Sequence, residues 1–130
     1  MSGKKEYWLE MSDDDIITAK AMLNAKRFLW VGFTCHLAVE KALKAVITYN
    51  SDEIPPKIHD LPKLANLSGI FTELSEQQKD LLRRLMPLHI EARYPEYKEK
   101  IASALTKEYC EQILDEVEAF ICWIKQKLEK

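Results

Sequence analysis

Residues Phe28 to Tyr49, FLWVGFTCHLAVEKALKAVITY, decide the fold. Apolar Phe33, Leu37, Val39, Ala42, Leu43, Val46 and Ile47 recur at helical spacing over a wide arc. Glu40 stands four positions before Lys44, the favourable order for an ion pair along a helix. So broad an apolar surface belongs to a central helix that touches several neighbours.

Working outward, Trp8, Met11, Ile16, Ala19 and Leu23 form an apolar stripe that predicts a preceding helix over Tyr7–Asn24, with Asp13 to Asp15 facing solvent. After Phe28–Tyr49, Ser51-Asp52-Glu53 leads into Pro55-Pro56 and marks a loop over Asn50–Lys57. Asp60 is placed to cap a short helix that tolerates Pro62 in its first turn and ends near Gly69. Ser75 and Gln78 form a capping box for a helix carrying Leu81, Leu82 and Leu85, which Pro87 is expected to end or kink. Pro95 biases Tyr94 towards extended geometry. Thr106 caps a long final helix with Ile113, Val117, Phe120, Ile121, Ile124 and Leu128 on one face. The sum is a single all-α domain over residues 1–130, an antiparallel four-helix bundle with an additional short helix.

Composition agrees with that reading. A chain of 130 residues, 47% apolar and 31% charged, has room for one core. Only three Gly and five Pro exclude collagen-like and low-complexity classes. A net charge of −2 argues against coating nucleic acid or an anionic membrane through bulk charge. Three cysteines without CxxC spacing exclude a disulfide framework and a zinc knuckle; Cys35 and Cys122 read as small buried hydrophobes. The start lacks the apolar core of a signal peptide and no stretch reaches the length of a membrane span, so a cytoplasmic protein is expected.

Function must come from polar residues the bundle does not require. Arg83, Arg84 and Arg93 lie within eleven residues, and from Lys79 to Lys100 six basic residues face four acidic ones. Arginine suits phosphate, although pairing with Asp80, Glu91 and Glu96 would account for the same pattern. Arg84 and His89 form an R-x4-H spacing; the histidine can move the proton of a ribose hydroxyl and the arginine can hold phosphate without a metal. On an ideal helix the two stand roughly 140° apart, so they converge only through a bend at Pro87 or across two subunits. His36 reads as a core or subunit-contact histidine and His59 as a local hydrogen-bonding group at a helix entrance. Trp8, Trp30 and Trp123 read as core or interface anchors. No HExxH, His/Cys cluster, Gly-rich phosphate loop or nucleophile elbow occurs, so neither a metal nor a cofactor is expected from spacing.

The run Phe33 to Ala45 (FTCHLAVEKALKA), followed by His59-Asp60-Leu61 with Leu64, Ala92-Arg93-Tyr94-Pro95 and the closing helix with Trp123, resembles HEPN domains (higher eukaryotes and prokaryotes nucleotide-binding) across essentially the whole chain. The resemblance implies a helical bundle that dimerises. It also implies a small prokaryotic protein acting with a minimal nucleotidyltransferase in a toxin–antitoxin pair. An alternative within the family is a metal-independent endoribonuclease whose R-x4-6-H residues meet at the dimer interface, here Arg84 and His89. The chain departs from the ribonuclease pattern with Leu85 directly after the arginine, and from the nucleotidyltransferase-paired pattern with Glu91 where a tyrosine is common.

Three readings follow: a module binding a nucleotide or partner through Arg83, Arg93, Tyr94, Lys41 and Lys44; a dimeric ribonuclease acting on RNA through Arg84 and His89; and a purely structural oligomerising bundle. For Lys41 and Lys44 the plainer expectation is a solvated helix face. A homodimer is expected, because the central helix carries more apolar surface than a small bundle covers.

Overall fold

The computed structural model describes residues 3–90 and 95–129. The elements are α1 (Gly3–Asn24), α2 (Phe28–Asn50), α3 (Leu61–Ser68), a single 3-10 turn (Phe71–Glu73), α4 (Glu76–Ile90), α5 (Pro95–Ala104) and α6 (Lys107–Leu128). No strand occurs among the described residues. The all-α bundle is as expected: α1, α2, α4 and α6 are the long helices. There are two short helices rather than one, because α5 forms in the stretch after Pro95, a residue suited to a first helical turn.

α2 is the axis of the molecule. It packs on α1, α3, α4, α5 and α6, and nearly every residue from Val31 to Ile47 is buried. Small residues make the α1–α2 pairing close: Ala19, Ala38, Ala42 and Ala45 are fully buried, and Ser12 Oγ donates to the Ala38 carbonyl at 2.7 Å. α6 lays Ile113, Val117, Phe120, Ile121, Ile124 and Leu128 into the core, the face anticipated from its spacing. A single chain therefore covers the apolar breadth of α2, which removes the argument from uncovered surface for a dimer.

The local signals act as written. Asp60 Oδ1 accepts from the Lys63 amide at 3.1 Å, and Gly69 ends α3 at φ 88°, in the left-handed region that favours glycine. Ser75 and Gln78 cap α4 reciprocally: Ser75 Oγ accepts from the Gln78 amide at 3.0 Å and Gln78 Oε1 from the Ser75 amide at 2.9 Å. Thr106 Oγ1 accepts from the Tyr109 amide at the start of α6.

Two expectations are corrected. Of the two outcomes expected at Pro87, an end or a kink, the first is overturned: α4 runs on to Ile90. Buried Leu85 and Leu88 on either side of the proline hold both turns against the core, so packing outweighs the missing amide bond. Cys122 is exposed, because α6 turns Ile121 and Ile124 inward and leaves residue 122 on the outer face; the third cysteine, Cys110, is buried. Burial pushes the Cys35 thiol up to about 12 and the Cys110 thiol up to about 11, so both are protonated at neutral pH. Of the three tryptophans, Trp8 and Trp123 pack partly against the core, and Trp30 is 43% exposed, which leaves it the interface half of its reading.

Candidate functional site

Four-residue steps on α2 place His36, Glu40 and Lys44 along one stripe, and the tertiary fold brings two more histidines to it. His89 arrives from the last turn of α4, and His59 from the segment that Asp60 turns into α3. Glu40 is the hub. Its Oε2 accepts from Lys44 Nζ at 2.9 Å and its Oε1 from His59 Nδ1 at 2.9 Å, while His36 Nδ1 stands 3.7 Å from Oε1. A carboxylate only accepts, so the hydrogen bond fixes the proton of His59 on Nδ1 and turns Nε2 away from Glu40.

Stacking holds the rings in order. The His89 imidazole lies between Phe33 (centroids 5.3 Å apart), His36 (4.6 Å) and His59 (4.2 Å). His36, Glu40, Lys44 and His89 are buried, whereas the His59 side chain is 48% exposed and forms the outer wall of the cluster. Burial drives the His36 ring down to about 3, helped by His89 and opposed by Glu40, so His36 is neutral at physiological pH. Burial alone would raise the Glu40 carboxyl; hydrogen bonds from Lys44 and His59 outweigh it and hold the group below the usual carboxylate range. The site is thus an ionised carboxylate inside a cage of two buried rings, one buried ammonium and one half-exposed imidazole. It can hold a proton on its outer histidine, stack a planar group against that ring, or offer nitrogen and oxygen donors to a cation. Among the described residues, His36, Glu40 and His89 bring one ligand atom each within 4.8 Å of one another and could hold a metal ion.

A family model for the HEPN domain matches residues 5–128. The chain belongs to the HEPN domain family. Among solved structures, this HEPN domain is similar to the crystal structure of TT1696 from Thermus thermophilus, with a TM-score of 0.81 and 20% sequence identity over 95% of this chain and 98% of the other. At that identity the likeness shows the shared fold. No curated protein sequence matches the chain.

In this HEPN domain the Arg84–His89 spacing does not close into a pair within one chain. Arg84 faces α6, where its guanidinium grips both Glu116 oxygens at 3.0 and 2.7 Å and Asp80 at 2.7 Å; His89 faces α2 and His59. The hydrogen bonds to Glu116 come first among the causes that raise the Arg84 pKa above its ordinary value. Arg83 is exposed, with its closest carboxylate, Asp80, at 3.9 Å. Lys41 pairs with Asp15 at 2.8 Å and Lys44 with Glu40, so neither lies on a solvated face and neither ammonium is free for a phosphate. Arg93 and Tyr94 lie outside the described residues. The residues that spacing alone passed over are His36, Glu40 and His59. The four-step series His36, Glu40, Lys44 on the strongest helix was the signal available to find them.

A cleft of about 670 Å³ lies elsewhere, between the start of α4 and α6. Glu73, Asp115 and Glu116 in its lining set it against a phosphate, and it carries none of the histidines.

Arg84→Ala is expected to destabilise the domain by about 1–2 kcal/mol, between an exposed ion pair and a buried charged hydrogen bond. Arg84 holds the Glu116 carboxyl below its usual range. Its contribution is therefore complete above the unfolded value of about 4.3 and lost as pH falls through the lower folded value. Urea midpoints of wild type and Arg84→Ala should differ at pH 7 and converge towards pH 3; an equal gap at both pH values would refute the assignment.

Proposed function

We propose that this HEPN domain is a nucleotide-binding module that acts, as a homodimer, with a nucleotidyltransferase in a toxin–antitoxin-type pair. The observation that supports nucleotide binding is the His59 ring. It is pinned by Glu40, stacked on His89 and half open to solvent, which makes it a ready-made surface on which a base can stack. Arg93, four residues after His89 in sequence, and the exposed Arg83 are the candidates for the phosphates. Family membership supports the same reading. The buried position of His89 and the commitment of Arg84 to Glu116 and Asp80 disfavour RNA cleavage by this pair within one chain.

Fluorescence anisotropy with labelled ATP tests the proposal. Wild type binds, and His59→Ala and Arg93→Ala each weaken binding roughly tenfold or more, the scale of one lost stacking contact or phosphate clamp. No binding by wild type, together with RNA cleavage in EDTA that His89→Ala abolishes, would replace the module with a metal-independent endoribonuclease. Light scattering on the same protein reads the dimer; a mass of one chain at micromolar concentration removes it and any two-subunit site.

A further inference from the structure

His36, Glu40 and His89 come from two helices, and each offers one ligand atom within 4.8 Å of the others. Zinc binds imidazole nitrogen and carboxylate oxygen at about 2.0–2.2 Å, so tetrahedral donors stand roughly 3.3–3.6 Å apart. Side-chain adjustments of about 1 Å therefore close this set onto one ion. Two imidazoles and one carboxylate are also a donor set suited to zinc and its first-row neighbours.

A second observation points into the same space. The His36 side chain is 1% exposed, and no group among the described residues meets either ring nitrogen at good hydrogen-bond geometry; the His59 backbone and Glu40 Oε1, 3.7 Å from Nδ1, are the polar groups beside it. Buried polar atoms are nearly always satisfied, and a bound cation would satisfy one of these two. The surroundings of Glu40 are those of a prepared ligand. Lys44 holds Oε2 and His59 donates to Oε1, which keeps capacity for a second partner and stands 3.7 Å from His36 Nδ1. From this geometry we propose that His36, Glu40 and His89 bind a divalent transition-metal ion of the zinc type. Lys44 and His59 orient the carboxylate, and the fourth position is left to water or an exogenous ligand. The ion ties α2 to α4 behind the His59 ring, and it is independent of whether that ring binds a nucleotide.

The test uses the full chain, stripped with EDTA and dialysed, and titrated with Zn²⁺ alone and with Co²⁺ alone. One ion binds per chain. At zinc a hundredfold above the dissociation constant the melting temperature rises by about 10 °C. Cobalt develops the visible absorption of a four-coordinate nitrogen and oxygen site. His36→Gln and His89→Gln, each checked for folding by circular dichroism, lose affinity beyond the roughly 10–100-fold that outer-contact changes cost. Cys122→Ser, at the exposed thiol, leaves binding intact. In wild type, Co²⁺ also shifts the ring protons of His36 and His89 in the NMR spectrum, a readout that needs no variant. No thermal shift, binding unchanged in both glutamine variants, binding lost in Cys122→Ser, or cobalt shifts confined to other residues would each overturn the site.

Discussion

Glu40→Ala, measured in EDTA, lowers the stability of this HEPN domain by about 3–5 kcal/mol and its melting temperature by about 10–20 °C. The size follows from what is left behind. Glu40 and Lys44 side chains are 5% and 8% exposed, so removing the carboxylate strands a buried ammonium and deprives His59 of its acceptor. A surface pair of the same spacing is worth a few tenths of a kcal/mol. Burial is what raises the cost. The double variant Glu40→Leu/Lys44→Met removes both charges and fills similar volume, so it recovers most of the loss. Urea denaturation of the two variants decides: a single variant within about 1 kcal/mol of wild type means the pair is solvated and the site is not closed.

Gly32→Leu comes next, at about 3 kcal/mol. Gly32 is buried where α4 and the end of α5 approach α2. A Cβ there stands 3.2 Å from Leu88 Cδ1 and 3.4 Å from Leu105 Cδ1. Alanine fits if Leu88 gives by a few tenths of an ångström, and its helix propensity returns about 1 kcal/mol, so Gly32→Ala stays near wild type. Leucine has no such room and pushes Leu88 outward, carrying its neighbour His89 off the stack. The expected result is a loss of stability together with altered His89 ring resonances in Gly32→Leu and neither in Gly32→Ala. A stable Gly32→Leu with unmoved resonances would show that the α2–α4 approach is slack.

The parts of the fold legible in the sequence are those fixed locally. Asp60, Gly69, Ser75 with Gln78, and Thr106 each act on amides within three residues, and each marks a helix end where expected. The inward face of α6 and the breadth of α2 are likewise properties of single segments. Pro87 does not end its helix because its local penalty is offset by Leu85 and Leu88, whose burial depends on other helices. The site was legible only in part. The spacing of His36, Glu40 and Lys44 is visible on one helix, yet His59 and His89 reach it through packing that no window of sequence contains. Arg84 shows the converse: its spacing from His89 is suggestive, but its carboxylate partner Glu116 lies 32 residues further on, on another helix.

The seam between α1 and α6 has a mechanical consequence. Lys5 Nζ donates to the Leu128 carbonyl at 2.9 Å, Lys125 meets Asp13 at 2.8 Å, and Lys20 meets Glu118 at 3.0 Å. These contacts form rungs between antiparallel helices, with the start of α1 and the end of α6 side by side at one rim. A load applied through the start of α1 and the end of α6 therefore meets the rungs one at a time, as a zipper does, rather than all at once in shear. The α1–α6 seam opens first, while the close packing of α1 on α2 bears load last.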